Sequence, residues 1–225
     1  IKVVQLLLER CNSEESGLNT KDQRGRTAFM VACEHGHKDV VKLLLDHSES
    51  NIELNAKDKY EGTAFMSACR NGHKDVVKLL LDHSERIDLN ARHDDGWTAF
   101  TLACYNGHKD VVKLLLDHSE RIDLNARSIN GATAFMRACC NGHKDVVKLL
   151  LDHSERIDLN ARRRRRRRDA DGETAFMIAC LRGRKDVVKL LLEYSEVINI
   201  NIAESFPIPE EIKDLIQMHS MTVQK

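Results

Sequence analysis

One segment of 21 residues occurs three times without a single change in this 225-residue chain. The copies begin at Gly72, Gly107 and Gly142, and each runs from Gly-His-Lys-Asp-Val-Val to Leu-Asn-Ala-Arg. The tripeptide Thr-Ala-Phe recurs over a longer stretch at nearly the same period, except for a longer last step, with its threonines at Thr27, Thr63, Thr98, Thr133 and Thr174. A fixed period of this kind is typical of stacked repeat proteins, in which each unit buries its apolar face only against its neighbours.

The sequence pattern of each unit predicts two short helices and a connecting turn. Thr63 precedes the first helix, where its hydroxyl can accept a hydrogen bond from a free backbone N–H. Gly72 stands where this helix must end in a left-handed conformation, and the second helix is predicted over 74–84 with Asp75 in its first turn. The apolar residues recur at helical spacing, and those expected to be buried are Ala64, Phe65, Ala68, Cys69, Val76, Val77, Leu80 and Leu81.

These units predict an all-α solenoid of stacked helix-turn-helix repeats, joined by loops of β-turn or hairpin type. We expect one domain. Residues 1–26 are predicted to form an N-terminal capping part-repeat, because Val3-Val4-Gln5-Leu6-Leu7-Leu8 matches the second helix of the full units. Five repeats follow at 27–62, 63–97, 98–132, 133–173 and 174–202, and a C-terminal capping helix is predicted within 203–225. There Ile212, Leu215 and Ile216 would cover the last repeat.

The repeated residues resemble those of the ankyrin repeat family over about 1–202. That family has a loop glycine, an opening threonine, paired small residues, a Gly-His turn and a Val-x-x-Leu-Leu helix. The third unit matches these positions with Gly96, Thr98, Ala103-Cys104, Gly107-His108, Val112 and Leu115-Leu116. It departs from the pattern where Ala99 replaces the family's proline and Thr101 its histidine. The resemblance implies a non-catalytic scaffold that binds a protein partner on its concave face and needs no cofactor.

Residues that differ between the units are the candidate contacts, because the framework around them hardly changes. They lie at the loop tips and just before the Gly-His turn, where Trp, Tyr and Arg would be typical interface anchors. The alternative is neutral variation of an exposed surface. The predicted protein-binding residues are Arg24, Arg26, Lys59, Tyr60, Arg70, Asp94, Asp95, Trp97, Tyr105, Ile129, Leu181 and Arg182. Glu34, His35, Ala132, Cys140 and Glu173 occupy equivalent variable positions.

A run of seven arginines interrupts the fourth repeat, where the step from Ala161 to Thr174 is 13 residues instead of the 7 between Ala91 and Thr98. Six arginines therefore count as inserted, and we expect a solvated, mobile loop. The run predicts a second site for nucleic acid, an acidic protein or another polyanion. Its residues are Arg162, Arg163, Arg164, Arg165, Arg166, Arg167 and Arg168. The alternative is a functionally neutral insertion, and the verbatim copies favour an engineered or recently duplicated array displaying it.

The remaining composition argues against catalysis and metal binding. The eleven histidines recur mainly at repeat positions, which form a ladder and do not converge on one ion. Most of the seven cysteines share the repeat spacing too, so they are expected to be reduced core residues of an intracellular protein. No nucleophile and base constellation or phosphate loop is present, and no apolar run is long enough for a membrane span.

Together these features predict a monomeric cytoplasmic scaffold that binds an unknown protein. The arginine run adds a second possibility, a polyanion-binding module, and is also a candidate nuclear localisation signal. Lys and Arg together number 35, as do Asp and Glu, so without six arginines the charge would be 29 minus 35, or −6. An acidic framework would by itself repel nucleic acid.

Overall fold

The computed structural model describes residues 17–46, 52–163, 172–202 and 206–223. Most of the predicted N-terminal part-repeat and arginines 164–168 lie outside these ranges. Eleven α-helices occur within them, and we number these in chain order. They are α1 (Ala28–Glu34), α2 (Lys38–Asp46), α3 (Ala64–Arg70), α4 (Lys74–Asp82), α5 (Ala99–Asn106), α6 (Lys109–Asp117), α7 (Ala134–Asn141), α8 (Lys144–Leu151), α9 (Ala175–Leu181), α10 (Lys185–Glu193) and α11 (Glu210–Val223).

The predicted caps explain where the first helix of each unit begins. The Thr63 hydroxyl accepts a hydrogen bond from the Met66 N–H at 3.3 Å, and Thr27, Thr133 and Thr174 cap their helices in the same way. Gly72 has φ of +74°, the left-handed conformation predicted for it. The caps and the all-α fold class are confirmed.

The second helix of the second repeat is shorter than predicted, because α4 ends at Asp82 and not at residue 84. The N–H groups of His83 and Ser84 bond to the carbonyls of Leu80 and Leu81, three residues back. Such tighter bonds satisfy the last carbonyls of a helix while turning the chain out of it. The sequence pattern could not show this, since Ser84 is buried like a residue of the helix stripe.

The chain divides into two compact units, of which the first comprises 1–103 and 110–123. Within it α1 packs on α2 and on α3, and α2 packs on α4, so equivalent helices of successive repeats stack. Phe65, Val77 and Leu80 are at most 2% exposed, as are most of the predicted core residues. Burial of each such side chain contributes about 1.5–3 kcal/mol.

The second unit comprises 104–109 and 124–225. Here α7 packs on α9, α8 packs on α10, and the terminal helix α11 packs on α10. Ile212 is fully buried and Leu215 and Ile216 are half-buried, and their capping role stays a prediction. Pro209 stands just before α11, where a proline loses no helical hydrogen bond. No helix of the described ranges combines the length and apolarity needed to cross a membrane.

Candidate functional site

Each loop tip is closed by a pair of residues whose backbones face each other, and we call these the tip-closing pairs. In four tips the N–H of the first residue donates to the carbonyl of the residue four positions later, at 2.9–3.0 Å. In the fifth tip the two residues are ten positions apart and bond in both directions at 3.0 Å. The pairs are Asp22/Arg26, Asp58/Gly62, His93/Trp97, Ser128/Ala132 and Arg163/Glu173.

Two tip-closing pairs are ion pairs. The acidic residue comes first in Asp22/Arg26, and the basic residue comes first in Arg163/Glu173. In the first tip the Arg26 guanidinium donates to Asp22 at 2.8 and 3.0 Å and to Glu34 at 2.5 Å. The Arg26 backbone N–H, helped by its guanidinium and by the Arg24 N–H, holds the pKa of Asp22 below its usual value against an opposing effect of desolvation. In the fifth tip the Arg163 guanidinium donates to the Glu173 carboxylate at 2.6 and 2.9 Å.

The Arg163/Glu173 pair corrects the expectation that the whole arginine run is solvated. The Arg163 side chain is 20% exposed and that of Glu173 only 4%. A buried carboxylate is costly unless it is paired, and Arg163 supplies both the charge and two hydrogen bonds. Arg162 is exposed, and the other five arginines lie outside the described residues. Arg163 therefore closes the loop and does not present its charge freely.

The predicted contact residues of the first unit lie on adjoining loop tips. The Lys59 N–H donates to the Arg24 carbonyl and the Asp94 N–H to the Tyr60 carbonyl, each at 3.1 Å. The Tyr60 side chain is 60% exposed. Its ring stacks on the His93 ring with centroids 6.2 Å apart and planes 16° apart.

We call Arg24, Lys59, Tyr60, His93, Asp94 and Asp95 the tip surface. Apart from half-buried His93, these residues are exposed. They are neighbours because the backbone bonds join each tip to the next. The tip surface is thus one exposed strip of basic, aromatic and acidic groups.

The other predicted contact residues divide between loop tips and helix ends. Ile129 is 76% exposed on the fourth tip, and Tyr105 is 37% exposed near the end of α5. Arg70 is exposed as the last residue of α3, whereas Leu181 is half-buried as the last residue of α9, and Arg182 follows it in the open. Arg26 and Trp97 are half-buried members of tip-closing pairs, and Ala132 and Glu173 are buried ones.

One row of variable residues was missed from the sequence. It lies four positions after each capping threonine, on the first helix of the repeat, and its members are half-buried except for the last, which is buried. The signal was available, because these positions differ between units whose neighbouring residues are nearly identical. The residues are Val31, Ser67, Leu102, Arg137 and Ile178.

The buried cysteines lie in surroundings that keep their thiols protonated. Burial raises the pKa of the Cys33, Cys104 and Cys139 thiols, and that of Cys180 to about 12. A protonated thiol is a poor nucleophile and a poor metal ligand. Across the part of the chain that the structure describes, no three His, Cys, Asp or Glu side chains are grouped as a metal site.

Comparison with known proteins gives one family. The family model for ankyrin repeats, in three copies, matches residues 1–93, 85–163 and 122–204. A human protein named ankyrin repeat domain-containing protein 63 is 47% identical over 47 residues, which is 21% of this chain and 11% of that protein. The mouse protein of the same name matches to the same extent. The chain thus spans only a small part of these relatives. Since the family model covers most of its length and the repeats fold as paired helices, the chain belongs to the ankyrin repeat family.

Proposed function

We propose that this chain is a non-catalytic scaffold that binds a protein partner through its loop tips and the ends of its first helices. The observation that carries the proposal is where the repeats differ. Within a framework copied almost verbatim, the variable residues of the loop tips and helix ends that take no part in tip closure are mostly exposed, among them Tyr60, Tyr105 and Ile129. The variable row on the first helices is half-buried or buried, so it is the exposed tips and helix ends that offer varied side chains to a partner.

The tip surface favours a partner that carries charges of both signs around an apolar or aromatic centre. Tyr60 and His93 form a stacked aromatic platform. Arg24 and Lys59 offer positive charge on the side of the earlier repeats, and Asp94 and Asp95 offer negative charge. Exposed tyrosines surrounded by polar groups are typical hot spots of protein interfaces, while the mixed charges would select the partner's orientation.

The test uses quantitative capture with the full chain and two single substitutions. Tyr60→Ala removes the exposed ring, and Lys78→Ala removes an exposed side chain of the repeated framework. A partner retained by the Lys78→Ala variant and lost by the Tyr60→Ala variant supports the proposal. Equal retention by both variants places the binding surface elsewhere on the chain.

The arginine run supports a second proposal, a polyanion site for single-stranded nucleic acid or an acidic protein. Five of its arginines, 164–168, follow the tip-closing Arg163, and the charge without six arginines would be −6. Any affinity for phosphate would therefore depend on the run, and counterion release would make it steeply dependent on salt. Replacing arginines 164–168 by glutamine should abolish oligonucleotide binding while the tip surface keeps its protein partner. Loss of both would mean that the replacement disturbs the fold.

The origin and location of the protein are further proposals. Three identical 21-residue segments support an engineered or recently duplicated array that displays the arginine run. The corresponding proposal is a monomeric cytoplasmic scaffold whose arginine run acts as a nuclear localisation signal. A fluorescent fusion with and without arginines 164–168 tests this signal, since only the protein with the intact run should accumulate in nuclei.

A further inference from the structure

The chain contains four Asn-Gly dipeptides, at Asn71, Asn106, Asn130 and Asn141. The asparagine of this dipeptide can deamidate without an enzyme. The glycine nitrogen attacks the side-chain amide carbon, ammonia leaves, and the cyclic imide then takes up water to give aspartate or isoaspartate. Glycine favours the reaction because no Cβ hinders the approach. Identical dipeptides in different surroundings allow the structure to discriminate between them.

Three of the four asparagines stand at helix ends. Asn106 and Asn141 are the last residues of α5 and α7, and Asn71 caps the end of α3. The Asn71 side chain donates to the Ser67 carbonyl at 2.9 Å, back along its own helix. The Asn141 side chain donates to the Tyr105 carbonyl at 2.6 Å. In both, the amide is held by a bond that ring closure would have to break, together with backbone bonds of the helix end.

Asn130 is the exception because it lies on the fourth loop tip and not at a helix end, although Asn71 and Asn106 are exposed as well. Its side-chain oxygen accepts the Ser128 hydroxyl at 2.6 Å and the Ala132 N–H at 3.3 Å. A bond to the N–H two residues ahead folds an asparagine side chain over the intervening peptide nitrogen. That nitrogen belongs to Gly131, the attacking group of the reaction.

The Ser128 hydroxyl also favours the chemistry, whereas the Ala132 N–H is shared and bonds more closely to the Ser128 oxygen, at 3.0 Å, than to that of Asn130. Negative charge develops on the side-chain oxygen when the nitrogen attacks, and donors already aimed at that oxygen stabilise it. The Gly131 N–H donates to the Ser128 carbonyl at 2.7 Å, so this bond must break before attack, while the Ser128 hydroxyl stays bonded to the Asn130 oxygen. Opening a loop tip breaks no helical bonds, and exposed tips open far more often than helix ends held on both sides.

We propose that Asn130 is a self-modification site that deamidates faster than Asn71 and Asn141, whose side-chain amides are held at helix ends. The Gly131 nitrogen gives its proton to solvent and bonds to the Asn130 side-chain carbon, the tetrahedral adduct takes a proton from solvent onto Nδ2 and expels ammonia, and one water then opens the cyclic imide. The product places a carboxylate beside the exposed Ile129. This inference is independent of the proposed binding function.

The test incubates the intact protein in neutral buffer and in urea, followed by trypsin digestion and mass spectrometry. Cleavage after Arg127 and Arg137 gives a peptide in which Asn130 is the sole asparagine, and Asn71 and Asn141 fall in separate peptides. In the native protein, Asn130 should convert several-fold faster than Asn71 or Asn141, and the difference should collapse in urea. Equal native rates, or a preference that persists in urea, would overturn the proposal.

A substitution separates the effect of the donors from that of exposure alone. Ser128→Ala removes the hydroxyl that bonds the Asn130 oxygen, and it should slow conversion in the native protein but not in urea. Ser154→Ala, at a half-buried serine of the repeated framework, serves as the control. A native rate in Ser128→Ala that is unchanged or faster would show that the hydroxyl does not promote the reaction.

Discussion

Deleting six of the seven consecutive arginines would place the Asp169 carboxylate opposite the buried carboxylate of Glu173. The deletion shortens the fifth tip from nine residues between the closing pair to three, the length of the other tips. Because the run is uniform, the surviving arginine takes the place of Arg162, and Asp169 then stands four residues before Glu173. Glu173, whose side chain is 4% exposed, loses its Arg163 partner. From spacing alone, the fold is expected to tolerate this change without loss.

The magnitudes favour destabilisation at neutral pH. Removing one partner of a buried ion pair costs about 3–5 kcal/mol, while shortening the loop threefold returns about 1 kcal/mol. The net loss of about 2–4 kcal/mol lowers the urea midpoint by about 1–2 M for a slope of about 2 kcal/mol/M.

A compensating substitution makes the prediction sharp. Glu173→Arg in the deletion background restores the pattern of the first tip, in which Asp22 precedes Arg26 by four residues and accepts its guanidinium at 2.8 and 3.0 Å. Urea unfolding followed by far-ultraviolet circular dichroism should show the midpoint falling in the deletion and recovering in the double variant. A deletion variant as stable as the parent, or a double variant that fails to recover, would refute the role assigned to the pair.

Four other perturbations have defined outcomes. Leu115→Ala, at a fully buried site, should lower the urea-unfolding free energy by about 2–5 kcal/mol, and a change below about 0.5 kcal/mol would contradict its core role. Asn90→Ala removes a side-chain acceptor that bonds the Asp123 N–H at 2.8 Å, so hydrogen exchange at that amide should accelerate while exchange in the core stays unchanged. Tyr60→Ala should weaken partner binding by about 2 kcal/mol in calorimetry without shifting the melting temperature. Oligonucleotide affinity should fall with a log–log salt slope of about −3.5 if arginines 164–168 each neutralise one phosphate at about 0.7 per contact, and a flat slope would remove the polyanion proposal.

Sequence periodicity predicted the helices, their threonine caps and the buried stripe because each is a local consequence of one residue pattern. Thr63 and Gly72 bound the first helix wherever the unit occurs, and repetition shows which residues the framework needs. The end of α4 at Asp82 was not predictable in this way. It depends on whether the last carbonyls bond three or four residues ahead, and His83 and Ser84 fit either arrangement.

The register of the arginine run was undetermined for a different reason. Any six of seven identical residues can be counted as inserted, so spacing alone leaves every arginine equivalent. The burial of Glu173 removes this equivalence, since only the arginine that faces it across the tip can neutralise it. Arg163 is thereby part of the framework, although its type and neighbours are those of the insertion.

The tip-closing pairs also limit which variable residues can serve a partner. A change of Arg163 leaves the buried Glu173 carboxylate unpaired, so we expect these two positions to change only together. Arg26 also bonds to Glu34, so the first tip is less constrained. The residues enclosed by a pair, such as Tyr60 and Ile129, close nothing and are exposed. The same closure accommodates three enclosed residues or nine. Binding residues can therefore change, and a tip can lengthen, without altering the helices on either side, which concentrates adaptable recognition between the members of each pair.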